Sequence, residues 1–233
     1  MIEFSEGFEA VGQMQLMNME VHGDLRCERG KFSHSPLPPG GHQPNDSHKH
    51  AISFDRSVIS GSIFLRDGFE ATGQVRLFGT TIKNELDCSG GSFRLSPYAE
   101  DCYTVFIARS HIQGDVYFCK TQPGRVGKEN FVTDGLIFLN SVQIGADLVV
   151  AFEINIKNLK VKENGLRAHN CIVGGWITFS NMTTNNETVI DLSGTTSIGL
   201  NHNWNTFLPK GSIKELAIIG FVYDKYEYEL HDC

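Results

Sequence analysis

Apolar side chains recur along this chain at offsets of +2, +5, +4 and +2, and the first copy of the template reads Met14, Leu16, Val21, Leu25, Cys27. The template returns as Ile52, Phe54, Ile59, Ile63, Leu65, as Val75, Leu77, Ile82, Leu86, Cys88, and as Val105, Ile107, Ile112, Val116, Phe118. Later copies are Ile137, Leu139, Ile144, Leu148, Val150, then Leu166, Ala168, Val173, Ile177, Phe179, and last Ile190, Leu192 with a broken second half. Apolar residues at i and i+2 make alternating strands, not helical stripes. Even the best helical candidate, residues 151–162, alternates as well as it spirals, so almost no helix is expected.

A longer repeat lies over this pattern. Residues 7–35 return 61 positions later as residues 68–96 with twelve identities, among them Gly7/Gly68, Phe8/Phe69, Ala10/Ala71, Cys27/Cys88, Gly30/Gly91 and Phe32/Phe93. Self-similarity at fixed spacing implies stacked units that bury their apolar faces against neighbours. The tightest spacing between copies, 23 residues from Ile52 to Val75, suits one turn of a parallel β-helix with two or three short strands per coil. The expected fold is all-β: one right-handed parallel β-helix, or β-solenoid, of about seven to eight coils, with residues 1–233 as a single domain. Most coils carry insertions, which solenoids display as loops at a corner. The longest covers residues 35–50, rich in proline, glycine and histidine and unable to pair as a central strand.

Composition narrows the partners. A net charge of -7 and the lack of clustered Lys and Arg argue against a nucleic-acid partner. No apolar run approaches the ~18 residues of a spanning helix, and Met1 leads into Ile2, Glu3 and Phe4 without the pattern of a secretory leader. Cys27 and Cys88 hold the last template position, where other copies place Leu65, Phe118 and Val150, so both are expected to be unpaired core thiols. Cys102, Cys119 and Cys171 lack C-x-x-C spacing. Reduced thiols fit a cytoplasmic protein.

Candidate chemistry is sparse. His34, His42, His48 and His50 lie in or beside the long loop, and His42, His48 and His50 with Asp46 are weak candidates for a metal site. An exposed loop carries histidine freely, so the expected metal set is none. Glu100 with Asp101 and Glu20 with Asp24 are carboxylate pairs that nothing places in a cleft. No dinucleotide fingerprint, P-loop, nucleophile elbow or zinc-protease motif occurs, so no cofactor and no catalytic residue is expected. Asn181 and Asn186 match the glycosylation acceptor pattern and read more simply as polar loop residues.

Residues 61–93, GSIFLRDGFEATGQVRLFGTTIKNELDCSGGSF, and the later IQGDVYF at 112–118 resemble the repeat of a large group of uncharacterised bacterial β-solenoid proteins automatically labelled "membrane-associated oxidoreductase". The resemblance covers nearly the whole chain and includes a motif at Gly220 to Asp224. It implies membrane association only through longer proteins whose C-terminal part is helical and hydrophobic, and it implies that this chain is a shorter member or a trimmed repeat domain. It brings no oxidoreductase residue with it.

Two function classes follow. The first is a non-catalytic scaffold or protein-interaction module, and the alternative is a carbohydrate-active β-helix enzyme acting on a polysaccharide. Outward positions form two ladders: Gln15, Ser53, Arg76, Phe106, Phe138, and Arg26, Phe64, Asp87, Tyr117, Val149. The aromatic content of the second suits a contact surface better than acid–base chemistry. The apolar segment from Leu216 to Tyr223 suggests an unpaired edge, hence a homodimer or a protein partner, unless the tail from Lys225 folds back as a cap.

Overall fold

The computed structural model describes residues 1–34, 49–99, 101–120, 130–154, 163–180, 182–202 and 214–228. Every strand pairing among them is parallel, and no helix occurs among them. One coil runs through His50–Ser53, Val58–Ile59, Ile63–Phe64 and Glu70–Thr72 before the next begins at Gln74–Phe78. Each such coil therefore has four strand segments, one more than the upper figure expected from spacing. Stacking joins them into three sheets. The first, of fifteen strands, holds the second and third segments of each coil; a second, of six, holds the fourth segments; a third, of eight, holds the opening segments. The chain is a parallel β-helix.

The template registers as the alternation requires. Val75 pairs with Ile52 and Val105, Leu77 with Ile107, Ile107 with Leu139, and Leu139 with Ala168. Leu25, Ile63, Leu86, Val116, Leu148 and Ile177 make a second inward column. All six are fully buried, and each contributes roughly 1.5–3 kcal/mol of burial free energy. Ile2 pairs with Leu25 and so belongs to the same column.

The 61-residue repeat has a packing cause. In the second sheet each coil offers two inward positions, and through five coils they read Phe8/Ala10, Gly30/Phe32, Phe69/Ala71, Gly91/Phe93 and Phe131/Thr133. From Phe8 to Phe131 each ring faces a small residue in the adjoining coil, so rings alternate sides as they climb, and the alternation ends where Phe131 pairs with Phe152. Their centroids, from Phe8 through Phe32, Phe69 and Phe93 to Phe131, lie 5.5, 5.4, 5.3 and 5.1 Å apart. A Cβ on Gly91 would sit 2.7 Å from the Phe93 ring, and one on Gly30 would sit 2.9 Å from Phe32. The glycines make room for rings two residues on. Identity returns every second coil because the alternation does.

Single residues in left-handed conformation turn one corner of every coil: Asn18, Arg56, Gly79, Arg109, Ser141, Asn170, Gly194 and Gly220, with φ from 51° to 69°. For the non-glycine members this costs on the order of 1 kcal/mol each. Buried hydroxyls just inside the corner offset it. Ser57 Oγ donates to Leu16 O at 2.8 Å and accepts from Met19 N, Thr80 Oγ1 donates to Phe54 O at 2.9 Å, and Thr195 Oγ1 donates to Ala168 O at 2.6 Å.

One local expectation gains its reason and another needs correction. The broken seventh copy is one residue short: Thr196 pairs with Ile172, but Gly199 already pairs with Trp176, so two segments fuse into the single strand Thr196–His202. The tail does not fold back at Lys225 either. It continues as Val222–Tyr228, parallel to that fused strand, and Glu215–Ala217 extends the third sheet, so another turn is added in place of a cap.

Candidate functional site

The three sheets have different outer faces. On the first sheet the ladder Arg26, Phe64, Asp87, Tyr117, Val149 does line up, but its middle is closed. Asp87 is fully buried and Phe64 is 7% exposed. Arg66 Nη1 donates to Asp87 Oδ2 at 2.7 Å, its Nε and Nη2 donate to Glu28 Oε1, and its guanidinium lies 4.0 Å over the Phe64 ring, with Arg26 at 5.0 Å from the same ring. Burial pulls the Arg66 guanidinium toward neutrality, and Asp87 and Glu28 outweigh it, so its pKa is raised and the charge stays. The expected contact surface on this ladder is thus a closed ion-pair network: an outward position is covered when an arginine from the neighbouring strand folds over it.

Aspartates at the adjoining corner are staples between coils. Asp24 Oδ1 accepts from Ser62 N at 3.1 Å, Asp115 Oδ1 from Asp147 N at 2.9 Å, and Asp147 Oδ1 from Trp176 N at 2.7 Å. Asp24 also pairs with Arg26, whereas Glu20 stands in solvent beside His22. Glu20 and Asp24 thus face different partners. Asp101 is exposed, and Glu100 lies outside the described residues.

The histidine candidates do not converge. His42, His48 and Asp46 lie outside the described residues. His50 opens a third-sheet strand with Nδ1 3.2 Å from Gln13 Nε2, and His34 meets Tyr98 edge-on at 5.3 Å. Among the described residues no three His, Cys, Asp or Glu side chains gather in a way that could hold a metal. Cys27 and Cys88 are buried and unpaired, and burial pushes both thiols up.

The outer face of the third sheet stays open in its centre. Its middle column runs Gln15, Ser53, Arg76, Phe106, Phe138, Arg167, Asp191, and beside it run Phe78, Ala108, Asn140, His169. Phe106 and Phe138 stack at 5.4 Å, and Tyr103 leans onto both at 5.8 and 4.8 Å. All three rings are half-buried. A bulge at Tyr103 delivers that ring. Cations border the rings: Arg76 lies 5.2 Å over Phe106 and pairs with Asp55 at 2.8 Å, while Arg167 pairs with Glu163 at 3.0 Å. In chain order, residues 34–49, 95–102 and 155–163 lie between a strand of the second sheet and the next strand of this one.

At the far end of the face stand His169, Asp191 and Ser193, the residue types of a hydrolytic triad, wired otherwise. His169 Nε2 donates to Asp191 Oδ2 at 2.5 Å, and Ser193 Oγ donates to Asp191 Oδ1 at 2.6 Å. The hydroxyl gives its proton to the carboxylate and not to imidazole, so nothing activates it as a nucleophile. Burial pushes the Asp191 carboxyl up, but Ser193 and His169 outweigh it and hold its pKa below the ordinary value. The same carboxylate–hydroxyl clasp joins Ser89 to Asp87 at 2.6 Å. Sequence reasoning missed both, although Asp87-Cys88-Ser89-Gly90 and Asp191-Leu192-Ser193-Gly194 share the pattern D-x-S-G.

The chain matches no family model, no curated protein and no solved structure.

Proposed function

We propose that this protein is a non-catalytic β-solenoid binding module, a rigid column whose outer third-sheet face is its contact surface. The observation that carries this reading is the half-buried Tyr103, Phe106 and Phe138 cluster on a face where the ionised groups around it are already paired. Aromatic side chains held by a stiff sheet contribute large contact area at little entropic cost on binding. Asp24, Asp115 and Asp147 are tied to backbone amides, and Asp87 to Arg66, of neighbouring coils, which commits these carboxylates to the fold. A photo-crosslinking residue at position 106 or 138, in cells that make the protein natively, should give discrete adducts. The same residue at Val149 or Glu153, on the other two sheets, should give none. Equal adducts from all faces would overturn the reading.

A second surface supports self-association. Around the last strands Leu216, Ile218, Ile219 and Val222 are each more than half exposed, and such an edge favours pairing with a second copy. A dimer by light scattering that becomes monomeric on Ile219→Lys is the expected result, and a wild-type monomer at all concentrations would exclude it.

A further inference from the structure

Apart from the aromatic face, at the corner where the third sheet passes into the first, we infer a binding site for a dianionic phosphate, free or as a monoester, held between Arg56 and Arg109 across the gap at Gly79. These three residues are the same corner position in consecutive coils, since Arg56 N donates to Phe78 O, Gly79 N to Ala108 O and Arg109 N to Asn140 O. Coils about 4.8 Å apart put the two arginine backbones roughly 10 Å apart, with only the glycine between them. Both arginines lean into that gap. A Cβ on Gly79 would sit 3.7 Å from Arg56 Cγ, so the Arg56 stem rises over the glycine, and Arg109 Cζ lies 5.7 Å from the ring of Phe78, one coil back. Arg76, in the same coil as Phe78, brings its Cζ to 5.6 Å from that ring.

Charge says what belongs in the gap. Among the described residues Asp55 is the one carboxylate that pairs with any of these arginines, and it meets Arg76. Three guanidiniums and one carboxylate leave two positive charges, in a chain whose net charge is -7. Past the corner the outward column of the first sheet runs Val58, Thr81, His111, Gln143 and adds no acid, while Glu20, a coil below Val58, stands beside His22. A similar arrangement elsewhere has its anion built in: the stem of Arg29 covers Gly68 at 3.6 Å, and Arg29 Nη1 donates to Glu6 Oε1 at 2.6 Å. At Gly79 the anion has to come from outside. Nor does packing explain the two arginines, which are exposed and hold left-handed backbones, φ 57° and 51°, that glycine adopts at less cost. A phosphate monoester carries about -1.5 to -2 charges at pH 7 and three acceptor oxygens, which suits a forked contact from each guanidinium. A carboxylate, with one charge and two oxygens, would leave a cation uncompensated.

Arginine side-chain NMR signals of the full chain, followed near neutral pH and at fixed ionic strength during titration with methyl phosphate, inorganic phosphate, dimethyl phosphate and acetate, test this. Methyl phosphate at millimolar concentration should shift the Nε–H signals of Arg56 and Arg109, leave that of Arg29 in place, and bind about tenfold or more tighter than dimethyl phosphate or acetate, which carry one charge each. Inorganic phosphate binding as tightly as the ester supports a free ion as occupant, and weaker binding supports a phosphorylated molecule. Arg56→Gln and Arg109→Gln should each weaken methyl phosphate by about tenfold or more yet melt no lower than the natural chain, since neither guanidinium holds an ion pair there. Gly79→Asp, whose side chain tolerates the left-handed backbone and supplies the missing carboxylate, should abolish binding with both arginines retained. The inference falls if neither phosphate binds at millimolar concentration, if acetate binds as tightly, if Arg29→Gln weakens binding as much as Arg56→Gln, or if Gly79→Asp binds methyl phosphate undiminished.

Discussion

Two columns of aromatic rings climb this solenoid, one inside the second sheet and one outside the third. The inner column alternates with Gly30, Ala71 and Gly91, spaces its centroids 5.1 to 5.5 Å apart and excludes solvent from Phe32, Phe69 and Phe93. The outer column stacks Phe106 directly on Phe138 with no small residue between, adds Tyr103 from a bulge and stays partly in solvent. Packing accounts for the first completely, since each ring fills space that its neighbours leave. It does not account for the second, because the coil beneath is already closed by Val105, Ile107, Ile137 and Leu139. Rings that the fold does not need are those available for contact.

The sharpest way to break that contrast is to remove an inner ring. Phe93→Ala is expected to cost about 3–5 kcal/mol, because the cavity is bounded by Phe69, Phe131 and Gly91 on a stiff column that cannot collapse into it. Chemical denaturation checks this. A cost near that of a surface change would mean that the alternation is ornament and that some other contact sets the two-coil period.

Neighbouring residues of one strand sharpen the inside–outside difference further. Leu77→Ala should lose about 2–5 kcal/mol, whereas Arg76→Ala, which faces out but takes an ion-pair partner from the buried Asp55 carboxylate, should lose less, about 1–2 kcal/mol. Much of this was legible in the sequence, since inward positions repeat at fixed offsets and a one-residue slip would expose them all. Corners were less so: Gly79, Gly194 and Gly220 mark the left-handed column, but Arg56, Arg109 and Ser141 occupy it without any residue-type signal. The faces were least legible. Phe64 has Arg66 two residues on where Phe106 has Ala108, but the sequence does not say that Asp87 and Glu28 of the adjoining coils hold the Arg66 guanidinium down over the ring.

The outer rings should behave oppositely to Phe93. Phe106→Ala is expected to cost about 1.5 kcal/mol or less in stability, with an unchanged denaturant slope, while removing partner contact. A loss as large as that of Phe93→Ala would show that Phe106 is a structural ring and would move the contact surface elsewhere.

The smallest effect concerns the carboxylate at the end of the open face. Asp191 has its pKa held below the ordinary value of 3.8 in the folded chain, so it binds a proton less readily folded than unfolded. Its stabilising contribution is therefore complete above the unfolded value, at about pH 5 and higher, and is lost as pH falls through 3.8 toward the lower folded value. Asp191→Asn keeps an acceptor for Ser193 but discards the charged acceptor that His169 Nε2 meets, and at pH 7 the expected cost is about 1 kcal/mol. Melting curves of the two proteins should converge below pH 4, because protonation removes from the native chain what the substitution already lacks. Parallel curves down to pH 3 would show that the His169 contact, and not the charge of Asp191, holds this end of the face.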